Sequence, residues 1–353
     1  MTYVLVALAG LVLGVTAERI AGPPASPALD GHPADRDGSR GAATRRRRRS
    51  GRRRGLRWVV IGVVTVVLLA GVGGYLWARS VFNRIERVDV SAELTSGSGT
   101  NYLLVGADNS RSPDSQREGV EGVRSDTIMV LRIADGRATM LSLNRDLWVT
   151  NPATGSKGRL NATYNQGPAN LVRAVTQNFA IPIERYIEID FVSFAGLVDA
   201  FGGIVIDFPN PAFDLASGLH VDQAGPVQLN GEQALAFVRS RHYTEVINGQ
   251  NVPEGGLPDV NRTGRQQAFL KAIMSKAGDK RNPFVLIHAA SKMANGLRID
   301  DQMTMFQAAR FAWDMGRLDP ARVLLPVVPR TTSGGAAVLD VGPGAEDVLA
   351  QFR

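Results

Sequence analysis

Hydrophobic positions fall into three patterns along this chain. The first is one unbroken apolar run, Trp58–Ala78, 21 residues without a charge. A helix of that length crosses the hydrocarbon core of a bilayer. Trp58, Tyr75 and Trp77 near its ends match an aromatic belt. The second pattern is short strand-like runs bounded by polar residues: Tyr102–Gly106, Thr127–Ile133, Ala138–Leu143, Tyr186–Ile189, Gly203–Phe208 and Arg322–Val328. The third is helical spacing. Asn161–Ala180 sets Leu171, Val172, Val175 and Phe179 along one face, and Phe191–Phe201, Gly231–Val238, Thr263–Ala277 and Asp301–Met315 also read as helices. Strands and helices in alternation predict an α/β (α+β) fold, a mixed central sheet flanked by helices, preceded by a transmembrane helix.

The pattern also sets expected boundaries. Met1–Ala17 is apolar and uncharged. It fits an extra membrane span or a mis-called start, and fits a signal-peptide core poorly because no basic residue precedes it. Residues 18–57 read as a disordered, basic cytoplasmic tail, with Ala21–Thr44 rich in Pro, Gly, Ala and Asp. Residues 58–78 are the membrane helix, residues 79–100 an amphipathic connector and linker, and residues 101–353 a folded extracellular domain.

Charge supports this order. The formal net charge is +7, yet nine arginines lie within Arg45–Arg57, and removing nine from +7 leaves −2 for the rest. A basic run can bind nucleic acid, but one that abuts an apolar span is explained by the positive-inside rule. The N-terminal side then lies in the cytoplasm and the folded domain outside, so nucleic acid is not an expected partner. There are no cysteines, which excludes disulfides and thiolate metal sites. Arginine outnumbers lysine 35 to 5, a bias that fits a GC-rich genome.

The candidate chemistry centres on Arg124–Asp146. Two strand-like runs joined by Asp135-Gly136 carry the polar clusters Arg124-Ser125-Asp126-Thr127 and Asn144-Arg145-Asp146. Asp108 follows the first strand of the domain, where ligands of α/β sheets usually lie. Asp108 and Asp126, carboxylates at two strand ends, suit Mg²⁺ bound partly through substrate phosphates. Arg239 and Arg241 are two residues apart, which an extended backbone points to one side. Arg262 and Gln266 are four apart, stacked on one helical face, with Arg265 adjacent. Guanidinium forks bind phosphate bidentately and stay charged when desolvated, so the set looks like a pyrophosphate clamp. For each of these arginines alone a solvated or salt-bridged role is the stronger reading; as a group with two aspartates at the ends of elements they point to a ligand. His220, His242 and His288 show no metal-ligand spacing, and no serine elbow, Walker loop or dinucleotide fingerprint appears.

Seven stretches, in order, resemble the LytR-CpsA-Psr family of membrane-anchored cell-wall ligases. They are Asn101–Arg111, Arg124–Ile133, Leu141–Val149, Arg159–Tyr164 (RLNATY), Leu197–Asp207, Leu229–Arg241 and Asp259–Ile273. The resemblance implies a phosphotransferase that moves a glycopolymer from a polyprenyl-pyrophosphate carrier onto peptidoglycan, forming a phosphodiester. It implies Mg²⁺, with Mn²⁺ as a substitute, at Asp108 and Asp126. It implies pyrophosphate contacts at Arg124, Arg145, Arg239, Arg241, Arg262 and Gln266, and matches Arg265 and Asp146 to motif positions. Asp126, Asp146 and Arg145 are the expected catalytic groups, with a carboxylate such as Asp126 or Asp146 taking the acceptor's proton. The family often has Asp-x-Arg where this chain has Asp108-Asn109-Ser110-Arg111, so the match does not carry a phosphate contact to Arg111.

The polyprenyl tail needs an apolar groove, for which Phe191, Phe194, Leu197 and Val198 are candidates beside a role in core packing. The GC-rich bias points to arabinogalactan or a related polymer as the donor glycan. Two other readings stay open: a polyprenyl-pyrophosphate phosphatase, with water replacing the sugar hydroxyl, and a non-enzymatic membrane-anchored regulator or wall-binding protein.

Overall fold

A computed structural model describes residues 49–107, 125–256, 258–279, 289 and 291–353. Residues 1–48, with the expected apolar segment and most of the basic tail, lie outside the described residues, as do Asp108, Arg111 and Arg124. Two compact units divide at Val66 and Val67, within the first helix, α1 (Arg49–Phe82). The stretch Arg57–Phe82 of α1 is apolar, 26 residues long and exposed along most of its length, with Val81 buried at its end. At 1.5 Å per residue it spans roughly 39 Å, more than a hydrocarbon core needs.

The second unit is built on a seven-stranded mixed sheet. Its strands are β1 (Glu86–Val88), β2 (Thr100–Ala107), β3 (Ser125–Ala134), β4 (Arg137–Ser142), β7 (Arg185–Asp190), β14 (Leu297–Asp300) and β15 (Ala321–Leu324), in the order β1-β14-β7-β2-β3-β4-β15. A short hairpin, β5 (Trp148–Thr150) and β6 (Lys157–Arg159), follows β4. Asp135 and Gly136 both take positive φ, 50° and 71°. That is the twist a two-residue hairpin needs to bring β4 back against β3.

Both sheet faces are covered, as expected for a sheet flanked by helices. Leu103 and Val105 of β2, Ile128 and Val130 of β3 and Leu141 of β4 pack on α2 (Pro168–Phe179) through Leu171, Val172 and Val175. The alternate residues Tyr102, Met129, Leu131 and Met140 form the opposite core. That core packs on Leu270 of α5 (Pro258–Asp279) and Phe311 of α6 (Met305–Met315), beyond α3 (Phe191–Ala200) and α4 (Gly231–Arg239) in the chain. A third core joins α3 and α4 to β8 (Ile204–Phe208), β9 (Ala212–Asp214), β10 (Leu219–Val221) and β11 (Gly225–Leu229).

The structure corrects the expected linker at residues 79–100. Strand β1 pairs in parallel with β14, Val88 and Val90 are buried in the core, and Thr95 N donates to the Ile183 carbonyl at 2.8 Å. This stretch belongs to the fold. A buried ion pair reinforces it: Arg298 Nη1 donates to Glu188 at 2.9 Å, and Arg298 Nε reaches Glu86 on β1 at 3.2 Å. The single strand expected at Arg322–Val328 is two. Leu325-Pro326 separates β15 from β16 (Val327–Thr331), which follows β12 (Thr244–Ile247) and β13 (Gln250–Pro253) in number and pairs with β17 (Ala337–Val341). A short helix α7 (Ala345–Leu349) and a 3₁₀ turn (Ala350–Phe352) follow β17.

Candidate functional site

Strands β2 and β4 run parallel to each other with β3 antiparallel between them. The C-terminal ends of β2 and β4 and the start of β3 therefore share one edge of the sheet. Ala107, one residue before Asp108, is the direct cross-strand partner of Ser125, one residue before Asp126. The strand ends that carry the two expected metal ligands are thus adjacent. Asp108 lies outside the described residues and Asp126 is placed by its backbone alone. Among the described residues no group of three or more His, Asp or Glu gathers around a metal position.

At the end of β4 the chain turns at Asn144, whose side-chain oxygen accepts from Asp146 N at 3.0 Å. This local turn fixes Arg145 and Asp146. The Asp146 carboxylate is mostly buried and sits between two guanidinium groups, 3.4 Å from Arg145 Nε and 3.3 Å from Arg159 Nε. Arg159 ends β6, and its Nη2 donates to the Ala337 carbonyl on β17 at 2.8 Å. Leu339 N of the same strand donates to the Asp146 carbonyl at 3.0 Å. The β16–β17 hairpin therefore braces both sides of the clamp. Beside it opens a cavity of about 270 Å³ lined by Arg145, Arg159, Asn161, Ala162 and Asn165. Two fixed guanidiniums and two amides facing one polar cavity suit an anionic ligand.

Arg159 is the clearest addition to the expected set. It stands first in the RLNATY stretch, which resembles the family without indicating what its arginine does. Only the fold brings it to Asp146, 13 residues earlier in sequence.

Helix α5 carries the next group. Arg262 and Gln266 are both buried, one turn apart. Their neighbour Gln267 donates from Nε2 to Ser142 Oγ at 2.9 Å, which pins this turn of α5 to the end of β4, three residues before Arg145. Arg265 is buried too. Its Nη1 pairs with Glu254 at 2.5 Å, its Nη2 donates to the Ser240 carbonyl at 2.8 Å, and its guanidinium lies 4.9 Å over the Tyr243 ring. Burial, then the Glu245 charge, push the Tyr243 phenol up to about 12, so it stays neutral under that cation.

Arg239 and Arg241 flank Ser240, where the chain leaves α4. The structure differs here from the extended reading. Arg239 is the last helical residue, and Ser240 turns the chain outward at φ −58°, ψ 132°. The corner is held from beneath by Asp214. Its Oδ2 accepts from Ser240 Oγ at 2.7 Å, Arg241 N at 2.8 Å and His242 N at 2.8 Å, and its Oδ1 accepts from Ala216 N at 2.9 Å. Burial alone would raise this carboxyl; the hydrogen bonds outweigh it and hold the group at about 2. The sequence carries no signal for Asp214 beyond an ordinary turn, because its partners lie 26 to 28 residues away.

The expected lipid-facing residues separate. Val198 is fully buried and Leu197 nearly so, both in the third core. Phe194 is partly buried and stacks on Phe269 with centroids 4.1 Å apart. Phe191 starts α3, and its side chain lies outside the description. A Cβ at Gly231, the first residue of α4, would overlap the Ala195 carbonyl oxygen of α3. Glycine at this position lets the helix that ends in Arg239 seat closely.

Comparison with known proteins bears on this arrangement. The LytR_cpsA_psr family model matches residues 79–315. A Corynebacterium glutamicum protein named "Probable cell wall biosynthesis protein LcpB" is 30% identical over 322 residues, covering 88% of this chain and 74% of its own. The Bacillus subtilis polyisoprenyl-teichoic acid–peptidoglycan teichoic acid transferase TagV is 28% identical over 269 residues, covering 70% of this chain and 64% of its own. Among solved structures, the LytR-Csp2A-Psr enzyme from Actinomyces oris superposes with a TM-score of 0.62 at 27% identity, over 76% of this chain and 96% of that one.

Proposed function

Because this chain belongs to the LytR_cpsA_psr family, we propose that it transfers a glycopolymer from a polyprenyl-pyrophosphate carrier to peptidoglycan, as a phosphotransferase of cell-wall assembly. The observation that carries this reading is the Arg145–Asp146–Arg159 clamp on a polar cavity, at the sheet edge where the strands leading to Asp108 and Asp126 meet. The name of TagV, a transferase, supports the reaction class, and that of LcpB supports a place in cell-wall biosynthesis.

An acceptor hydroxyl of peptidoglycan attacks the sugar-side phosphorus of the carrier's pyrophosphate. A new P–O bond forms, the bond from that phosphorus to the bridging oxygen breaks, and polyprenyl phosphate leaves. The hydroxyl proton passes to a carboxylate, Asp126 or Asp146. Such transfer is catalysed mainly by positioning and charge stabilisation. Arg124, Arg145, Arg239, Arg241 and Arg262, with Gln266, neutralise and orient the pyrophosphate, and Arg159 joins them through its place on the cavity. Arg265 acts mostly one step back: with two of its nitrogens held by Glu254 and Ser240, it braces the Arg239–Arg241 corner.

Asp108 and Asp126 would hold Mg²⁺, or Mn²⁺ in its place; the adjacency of their strands and their oxygen-only chemistry fit such an ion. Held there, such an ion would supply positive charge to offset the negative charge of the reacting phosphates. The apolar tail of the donor lies along α3, with Phe194 as a contact, Leu197 and Val198 as the packed floor, and Phe191 a candidate by its place at the start of the helix. Helix α1 anchors the chain in the cytoplasmic membrane, arginine tail inside and catalytic domain outside, which keeps the site near its lipid-linked donor. Arabinogalactan or a related polymer is the proposed glycan.

The test incubates the full chain in lipid vesicles with Mg²⁺, a lipid-linked glycan and peptidoglycan fragments, and follows products by mass spectrometry. Glycan attached to peptidoglycan supports the proposal. Free phosphorylated glycan with no attachment favours a phosphatase. No turnover leaves the non-enzymatic reading.

A further inference from the structure

Helix α6 has two unlike faces. Ala308, Phe311 and Met315 face inward and pack against the core. Phe306, Arg310 and Trp313 face outward, at spacings of four and three, and Arg317 extends the same line just past the helix. Phe306 is 70% exposed and Trp313 62%, which is unusual for two large aromatic residues two helical turns apart. The Arg317 guanidinium lies 6.0 Å from the Trp313 ring centroid. An outward stripe of alternating aromatic and arginine side chains is the composition of a helix that lies in a membrane interface. Arg310 lies 3.5 Å from Asp314 one turn on yet is 82% exposed, so its guanidinium, like that of Arg317, still faces outward; the rings enter the headgroup–acyl boundary and the two guanidiniums meet anionic headgroups.

The position of α6 supplies the second, independent observation. Phe82, the last residue of α1, and Ile85 pack into the same core as Phe311 and Met315. Arg87 stacks on the Phe82 ring, 4.4 Å from its centroid, and donates from Nη1 to the Met303 carbonyl at 2.7 Å. Met303 directly precedes Thr304, the capping residue of α6. The point where the apolar helix ends is thus tied within a few residues to the point where α6 begins.

From these two observations we infer that the outward face of α6 docks on the outer surface of the membrane, with anionic phospholipid headgroups as its partner. This inference rests on the reading of α1 as a membrane anchor and goes beyond it. A single helix tethers the domain but leaves it free to swivel. A second contact beside the exit point fixes one orientation, and so fixes where the site meets a lipid-linked donor.

The absence of cysteine makes the test direct, because a single introduced thiol is unique in the full chain. Trp313→Cys carries a nitroxide in the full-length protein, reconstituted in phosphatidylcholine–phosphatidylglycerol vesicles at 7:3. Accessibility to oxygen, which concentrates in lipid, is compared with accessibility to a water-soluble nickel complex. Phe306→Cys repeats the measurement at a second exposed position. Val72→Cys reports the anchor, and Leu215→Cys, 89% exposed in the turn after β9, reports solvent. The expected result is an oxygen-to-nickel ratio at 313 and 306 several-fold above that at 215. Ratios at 313 and 306 equal to that at 215, with Val72 in lipid, overturn the docking and leave the anchor standing. Protection from both reagents at 313 and 306 means a protein covers the face and also overturns it. A solvent-like label at Val72 removes the anchor reading and the docking with it.

Discussion

Asp214→Asn tests how the arginine corner is built. The carboxylate is buried, and four hydrogen bonds of 2.7 to 2.9 Å end on it, three of them from consecutive residues Ser240, Arg241 and His242. They hold its pKa near 2 against an ordinary 3.8, and at 1.36 kcal/mol per unit this contributes about 2 kcal/mol at neutral pH. Asparagine keeps the shape but has one oxygen. Its NH₂ must face either the Arg241 and His242 amides or the Ala216 amide, donor against donor. With a buried donor left unpaired, the total loss is about 2–4 kcal/mol, or roughly 5–15 °C in melting temperature for a domain of this size.

The pH dependence has a definite sign. The folded pKa lies below the unfolded one, so the contribution is complete above about pH 4 and is lost as pH falls through about 2. The gap between wild type and variant therefore closes on acidification. Thermal melts of both chains in detergent, from pH 7 down to pH 2.5, measure it. Transfer activity falls further than stability accounts for, because Arg239 and Arg241 lose their common support. A variant that melts with the wild type at pH 7, or a gap that stays constant into acid, refutes the reasoning.

Other outcomes follow from the same geometry. Asp146→Asn removes the charge between Arg145 and Arg159 and lowers turnover by a hundredfold or more, read with lipid-linked donor at saturation, while far-ultraviolet circular dichroism is unchanged. Arg298→Met leaves the Glu188 carboxylate buried without its cation and destabilises by about 3–5 kcal/mol, seen in denaturant melts; a smaller loss for the double variant with Glu188→Gln confirms the pairing. Gly231→Ala drives a methyl into the Ala195 carbonyl and costs about 1–3 kcal/mol, with hydrogen exchange rising first in α3 and α4.

Much of the central sheet was legible because its neighbours are close in sequence. Strands β3 and β4 are short apolar runs of strand length, and the Asp135-Gly136 turn announces their pairing. The cation and carboxylate positions at the strand ends followed from where those runs stop. What was not legible depends on distant partners. Residues 86–88 look like a linker because their pairing strand lies 212 residues on. Asp214 reads as a turn residue until the fold brings Ser240 to it. Arg159 reads as an ordinary basic residue until β6 sets it against Asp146. A spacing of two lets Arg239 and Arg241 share an extended strand, but the helix that starts at the Asn230 cap runs on to Arg239. Local pattern decides whether a segment is helix or strand, and long-range contacts decide which side chains share a site.

The central claim is that the sugar-side phosphate travels with the glycan. A donor isotopically labelled at that phosphorus, given to the full chain in vesicles with Mg²⁺ and peptidoglycan fragments, measures this in one experiment. The account predicts the label in a phosphodiester between glycan and peptidoglycan, with unlabelled polyprenyl phosphate released and Asp146→Asn suppressing both. Label leaving with the carrier, or appearing only in free phosphorylated glycan, contradicts it.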